Sequence, residues 1–257
     1  MQEIIICLTA LLASGLTFFS GFGLGTILLP VFAVFFPLDL AIALTAIVHF
    51  LNNIFKFFLT GKHIDKAVLL RFGLPSIVAA LLGAWLLGYL TDLQAFYSYK
   101  MYGTAFEIRP VKVVIALLLV FFALFDLIPK LKNLQIPQQY LPIGGLISGF
   151  FGGLSGHQGA LRSAFLIRSG MTKEAFIATG IVIACFVDVS RLTVYSGNIL
   201  QVRHEIEWSL VVLATFSAFV GALLGNRFLK KMTLETVQVF VAAGLIIFAV
   251  FLELGII

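Results

Sequence analysis

Charge is what this chain has least of. Only 11% of its 257 residues are charged, against about 25% in a soluble domain. With 61% hydrophobic residues and a mean hydropathy of +1.10, a water-soluble globule is excluded. Cysteine is nearly missing too. Cys7 and Cys185 both lie in apolar runs and read as small core residues, not as a disulfide or a metal pair. No HExxH zinc motif and no Walker A loop occurs, so neither a metalloprotease nor an ATP-driven pump is written here. No polar insert interrupts the apolar runs, which points to a single integral membrane domain over residues 1–257 without a cofactor. The opening Met1-Gln2-Glu3 lacks the basic n-region of a signal peptide, so the first apolar run is expected to stay in the membrane.

What is present is a series of ten apolar segments: Ile4–Ser20, Phe22–Phe36, Asp39–Thr60, Ala67–Leu90, Val113–Ile128, Leu141–Leu154, Gly159–Ile167, Ala175–Tyr195, Trp208–Asn226 and Thr236–Leu254. When their connections are placed on alternate sides of a bilayer, one side collects ten Lys and Arg, among them Lys62, Lys66, Arg71, Lys130, Arg168, Arg227, Lys230 and Lys231. The other side holds four: Lys100, Arg109, Lys112 and Arg203. The positive-inside rule assigns the first side to the cytoplasm and both termini to the outside. The net charge of +5 is therefore mostly topological. It marks the lipid bilayer as a partner and gives no reason to expect nucleic acid. Phe96, Tyr97, Tyr99 and Tyr102 become an external loop at the interface.

Two segments are too short to span. Gly159–Ile167 has barely half of the ~20 residues a spanning helix needs, and Phe22–Phe36 is also short. Both follow glycine clusters, so Ile4–Phe36 and Leu141–Ile167 are read as broken-helix hairpins whose tips stop inside the membrane. The halves also resemble each other at a spacing of about 135 residues. Ser20–Gly25 lies against Gly153–Gly159, Ala41–Thr45 against Ala175–Thr179, Lys56 against Arg191, Thr60-Gly61 against Ser196-Gly197, and Gly83-Ala84 against Gly221-Ala222. Five segments per half is an odd number, so the second copy enters the membrane upside down. The expected fold is an all-α polytopic membrane protein of two inverted five-segment repeats, residues 1–130 and 138–257, each beginning with a broken or re-entrant hairpin. That is a transporter architecture, with its site near midplane where the broken helices meet.

Three basic residues fall deep inside apolar segments, namely Lys56, Arg162 and Arg191, and Asp188 is the one clear acid among them. A charge at a helix centre costs roughly 2.5–3.5 kcal/mol on insertion scales. A surplus of positive charge there implies an anion that visits it. His49, Asn52, Asn53 and Lys56 recur at i, i+3, i+4 and i+7, one polar stripe on an apolar helix. Asp188, Arg191 and Tyr195 form the matching stripe of the second half, and Asp188 and Arg191 are spaced to pair. A helix starting after each glycine cluster would aim free N–H groups at an anion. Gly23, Gly25 and Gly159 would supply the backbone for it, with Ser155, His157 and Gln158 as side-chain donors. These residues, with Lys56, Arg162, Arg191, His49, Asn53 and Asp188, form the expected anion site. The bland alternatives are glycines that only allow close packing, an Arg162 paired to Asp188, and stripes that only join helices. Asp126, Asp39, Asp92 and Glu253 are expected at the solvated interfaces, and Pro30, Pro75 and Pro142 to kink or start helices.

The glycine-broken segment of each half, the start of the third segment over Pro37–Ala46, and the run from Gly153 to Ser163 followed by Lys173–Gly180 resemble the sulfite exporter TauE/SafE family of permeases, over essentially the whole chain. The resemblance implies a bacterial or archaeal plasma-membrane carrier for a small sulfur-containing anion such as sulfite, thiosulfate, sulfoacetate or another sulfonate. An anion channel and a non-transporting membrane assembly factor are the competing classes. A remoter one is an intramembrane serine hydrolase, because Gly153-Leu154-Ser155-Gly156 matches a GxSG nucleophile motif. A serine nucleophile needs a base within hydrogen-bond reach, and neither His157 nor the loop residue His204 is spaced to serve, so no enzyme is expected.

Overall fold

The computed structural model describes residues 1–17, 23–60, 63–101, 104–201, 204, 206–228 and 234–256. Ser20, Gly21, Phe22, Gly61, Lys62, Tyr102, Arg203, Lys230 and Lys231 lie outside the described residues. Among the described residues, ten helices of eight or more residues carry the chain: α1 Gln2–Leu16, α2 Leu24–Phe35, α3 Leu38–Thr60, α4 Lys66–Asp92, α5 Pro110–Leu127, α6 Leu141–Ser155, α7 Gly159–Leu166, α8 Lys173–Gln201, α9 Trp208–Phe228 and α10 Leu234–Glu253. Each apolar segment of the sequence forms one of them. Five stretches are long and apolar enough to cross a bilayer: Leu38–Thr60, Lys66–Asp92, Pro110–Leu127, Lys173–Gly197 and Trp208–Arg227. At 1.5 Å per residue, the 15 residues of α1, 12 of α2, 15 of α6 and 8 of α7 fall well short of a hydrocarbon core of about 30 Å. The chain is a multi-pass membrane protein.

One expectation needs correcting. The fold is not purely helical, because Tyr97–Met101 and Thr104–Ile108 pair as an antiparallel hairpin, β1 and β2. The Tyr-rich stretch alternates aromatic and polar residues with a period of two, which suits a strand more than a helix. Tyr99 stacks on Phe106 at 5.3 Å and donates from its hydroxyl to Leu254 O at 2.6 Å, fastening the hairpin to the end of α10. A second correction concerns Asp126. It is buried at 7% exposure on α5, because the helix turns that face inward. Asp92 and Glu253 are exposed as expected.

The prolines follow their geometry. Pro142 occupies the first turn of α6, where its missing N–H costs nothing. Pro30 lies inside α2. Pro75 follows a π turn at Leu69–Gly73 within α4, and it cannot donate to the Arg71 carbonyl one turn back. The start of α4 is capped by Asp65, whose carboxylate accepts from Val68 N at 3.0 Å. Asp65 N donates in turn to Thr179 Oγ1 of α8 at 2.9 Å.

Helix packing is set by glycine. On α6, Gly145, Gly149 and Gly153 lie against the backbone of Phe72, Ser76 and Ala80 on α4, and Gly83 of α4 lies against Phe150 O. On α9, Gly221 lies against Leu11 O and Gly225 against Gly15 O of α1. With no hydrophobic drive between helices in lipid, such close backbone approach supplies the packing energy. The remaining large contacts join α5 to α10, α3 to α8, α4 to α8, α2 to α3, α1 to α2 and α3 to α9. Outward-facing Leu8, Leu12, Val78, Leu82, Trp85 and Phe121 are each 46–63% exposed, a lipid-facing surface.

Candidate anion site

Midway along α3, the stripe His49, Asn52, Asn53, Lys56 points inward, and all four are at most 6% exposed. Helix α2 begins at this level. Gly23, which caps α2, lies against His49, so that a Cβ built on it would meet Nε2 at 3.3 Å. Asp188 of α8 is fully buried opposite. Its Oδ2 accepts from His49 Nδ1 at 2.6 Å and from Asn53 Nδ2 at 3.3 Å. Its Oδ1 accepts from Arg191 Nε at 3.0 Å and Nη2 at 2.7 Å. Arg191 is 1% exposed and packs against Gly156 at the α6–α7 turn, where φ is +81°, a conformation that suits glycine. Tyr195, one turn further, donates to Gly153 O at 2.6 Å. The ends of both hairpins are thus joined through His49, Asp188 and Arg191. The i,i+3 pairing of Asp188 with Arg191 is visible in the sequence, whereas the His49–Asp188 bond joins residues 139 apart.

On one side of this network lies a cavity of about 50 Å³ for water centres. Thr17 and Gly23 line it from the first hairpin, His49, Asn53 and Lys56 from α3, Arg162 and Ser163 from α7, and Phe176 and Gly180 from α8. With the Asn52 amide turned to satisfy both ends, its oxygen accepts from Lys56 Nζ at 3.3 Å and from Ser14 Oγ at 3.1 Å, and its nitrogen donates to Ala218 O at 3.2 Å. The stripe residue Asn52 therefore positions Lys56 from behind. Arg162 Nη1 is buried and finds no hydrogen-bond partner in the protein. Arg162 does not take Asp188, whose oxygens are held by His49, Asn53 and Arg191. Among the described residues, no three His, Cys, Asp or Glu side chains come together in a metal-binding group.

The expected site residues divide into two levels. Lys56, Arg162, His49, Asn53 and Gly23 share the cavity, and Gly25 sits behind it against Thr45 and His49. Asp188 and Arg191 form its buried backing. Ser155, His157, Gln158 and Gly159 lie at the α6–α7 turn, outside the cavity lining. There His157 Nδ1 contacts Ser155 O at 3.0 Å, and its ring stacks on Phe122 at 5.5 Å. Ser148 donates to Gln158 O at 3.1 Å, while His157 Nε2 and both amide atoms of Gln158 are buried without a partner in the protein. Thr17, Ser163, Phe176 and Gly180 are lining residues that sequence reasoning missed. Ser163 carried a signal as the neighbour of Arg162, and Phe176 and Gly180 as members of the Lys173–Gly180 run.

Comparison with known proteins settles the class. The family model described as Sulfite exporter TauE/SafE matches residues 6–252. The chain belongs to the TauE/SafE family. No curated protein and no solved structure matches it. A TauE/SafE protein is a membrane exporter or permease for sulfite or related sulfur compounds, and that agrees with the multi-pass helical fold.

Proposed function

We propose that this TauE/SafE protein is a secondary carrier for a small sulfur-containing oxyanion, bound between Lys56, Arg162, His49 and Asn53 at the N-terminal end of α2. The observation that carries the reading is a cavity lined by two cationic side chains, Lys56 and Arg162, one of which leaves a buried guanidinium nitrogen without a protein partner. A buried donor left unsatisfied costs about 1–3 kcal/mol, and an oxyanion would satisfy it. A site with two cations also favours a dianion over a zwitterion such as taurine.

The inverted-repeat reading finds support in the packing. The α4–α6 contact has its counterpart in α1–α9, and α4–α8 in α3–α9, while α3–α8 and α5–α10 are self-paired. Gly83 and Gly221, matched in the sequence, each meet a carbonyl of the other half's first helix. Asn53 and Asp188 fall on the Lys56–Arg191 spacing and touch at 3.3 Å, as residues near a two-fold axis would. Alternating access would then exchange near-mirror arrangements of the two halves around one anion site.

Two measurements test this. Arg162→Gln is expected to weaken anion affinity ten-fold or more in reconstituted vesicles, since a charge-assisted hydrogen bond contributes roughly 1.5–3 kcal/mol. Unchanged affinity in a folded variant would move the site elsewhere. The charge count places the α3–α4 connection in the cytoplasm and both termini outside. His63→Cys, at an exposed position of that connection, is therefore expected to resist impermeant thiol reagents added to whole cells. Strong labelling from outside would invert the topology.

A further inference from the structure

We propose that His49 and Asp188 form a proton-binding site coupled to the anion cavity, so that the protein carries its anion together with a proton. This rests on the carrier reading above and names its coupling ion.

The argument is geometric. Asp188 is fully buried and its Oδ1 already accepts two bonds from Arg191, so its oxygens serve as acceptors. His49 Nδ1 must then carry the hydrogen of the 2.6 Å bond to Oδ2. That fixes the tautomer and leaves Nε2 as the nitrogen that can gain or lose a proton. Nε2 lies beside Gly23, the cap of α2, and both residues line the cavity. A neutral His49 presents a lone pair at Nε2, which the Asn53 amide nitrogen approaches at 3.4 Å and which repels an oxyanion. When a proton from the cavity adds to that lone pair, His49 presents an N–H instead and the ring becomes an imidazolium paired to Asp188. Release is the reverse, with the Nε2–H bond breaking and the proton passing to water.

The groups that face His49 are few. Its own helix contributes Asn53 and Lys56, α8 contributes Asp188 and Arg191, and α7 contributes Arg162. The first hairpin contributes Thr17 and Gly23, neither charged. An anion seated between Lys56 and Arg162 attracts a proton to Nε2, and a proton there attracts the anion. By linkage the two effects are equal in size. His49 also ties the halves together, because its ring connects α3 to α8 and touches the first hairpin. A change in its protonation is felt where the halves must rearrange. His157 is a contrast: it lies outside the cavity lining, stacked on Phe122.

Calorimetric titration of purified protein with thiosulfate and with sulfoacetate tests this, because neither anion takes up a proton at neutral pH. Repeating the titration in MOPS and in Tris, whose ionisation heats differ, counts the protons taken up per anion. The wild type is expected to take up a measurable fraction of one proton per anion bound. His157→Gln is expected to match it, and His49→Gln to take up none, with His49→Asn as the substitute if His49→Gln does not fold. In vesicles, an inward acid gradient should accelerate thiosulfate uptake several-fold in the wild type and leave whatever rate His49→Gln retains unchanged. Anion binding without proton uptake in the wild type, or undiminished proton uptake in either His49 variant, overturns the coupling and leaves the carrier standing. Failure of thiosulfate, sulfoacetate and sulfite alike to bind or exchange overturns the carrier reading, and the coupling with it.

Discussion

Asp188→Ala is expected to cost this protein about 3–5 kcal/mol, the loss typical of breaking a buried ion pair from one side. The carboxylate accepts four hydrogen bonds, from His49, Asn53 and both Nε and Nη2 of Arg191. Removing it leaves a guanidinium at 1% exposure with its charge uncompensated, and an imidazole without its acceptor. A loss of this size is comparable to the whole stability of a marginal fold. The variant should melt far below the wild type in detergent, or fail to accumulate. Adding Arg191→Leu to it removes the stranded charge and should recover part of the loss. A melting temperature within a degree or two of wild type for Asp188→Ala alone would show that the network does not hold the halves together.

Gly149→Val should rank next in effect. A Cβ at this position meets the backbone of Ser76 on α4, and backbone cannot rotate away as a side chain can. The two helices must separate along a seam that also includes Gly145 and Gly153. Overpacking alone costs typically 1–3 kcal/mol, and parting the seam forfeits contacts over three turns besides. Gly88→Ala on α4 is the control. Nothing lies within 4 Å of its Cβ position, so its melting temperature should stay at the wild-type value. Equal effects at Gly149 and Gly88 would mean that α4 and α6 do not approach at their glycines.

The contrast between these two positions shows what could be read in the sequence and what could not. Ten apolar segments and their rough limits were legible, because a hydrophobic run of membrane length has few other uses. The i,i+3 and i,i+4 spacing of His49, Asn52, Asn53 and Lys56 was enough to place them on one buried face. Glycine clusters marked where helices break, at Gly23 and Gly156. The sequence did not tell a glycine that seats a backbone, such as Gly149, from one facing open space, such as Gly88, since that depends on a partner helix far away in the chain. The same holds for the His49–Asp188 bond, which leaves the local i,i+3 pairing of Asp188 with Arg191 looking self-sufficient. Three expected donors, Ser155, His157 and Gln158, follow the glycine cluster in the way an anion site would require. They lie at the α6–α7 turn, beside Arg191 and outside the cavity lining. The β1–β2 hairpin was hidden for another reason: a short aromatic stretch beside the membrane reads equally as interfacial loop or strand.

Counterflow of labelled sulfite into vesicles containing the purified protein is the most direct test of the account, since only a carrier that reorients around one bound anion couples the two sides. Vesicles preloaded with unlabelled sulfite should take up the label faster than empty ones, with a rate that saturates as external sulfite rises. Linear uptake that ignores the preload would contradict alternating access and leave a channel in its place.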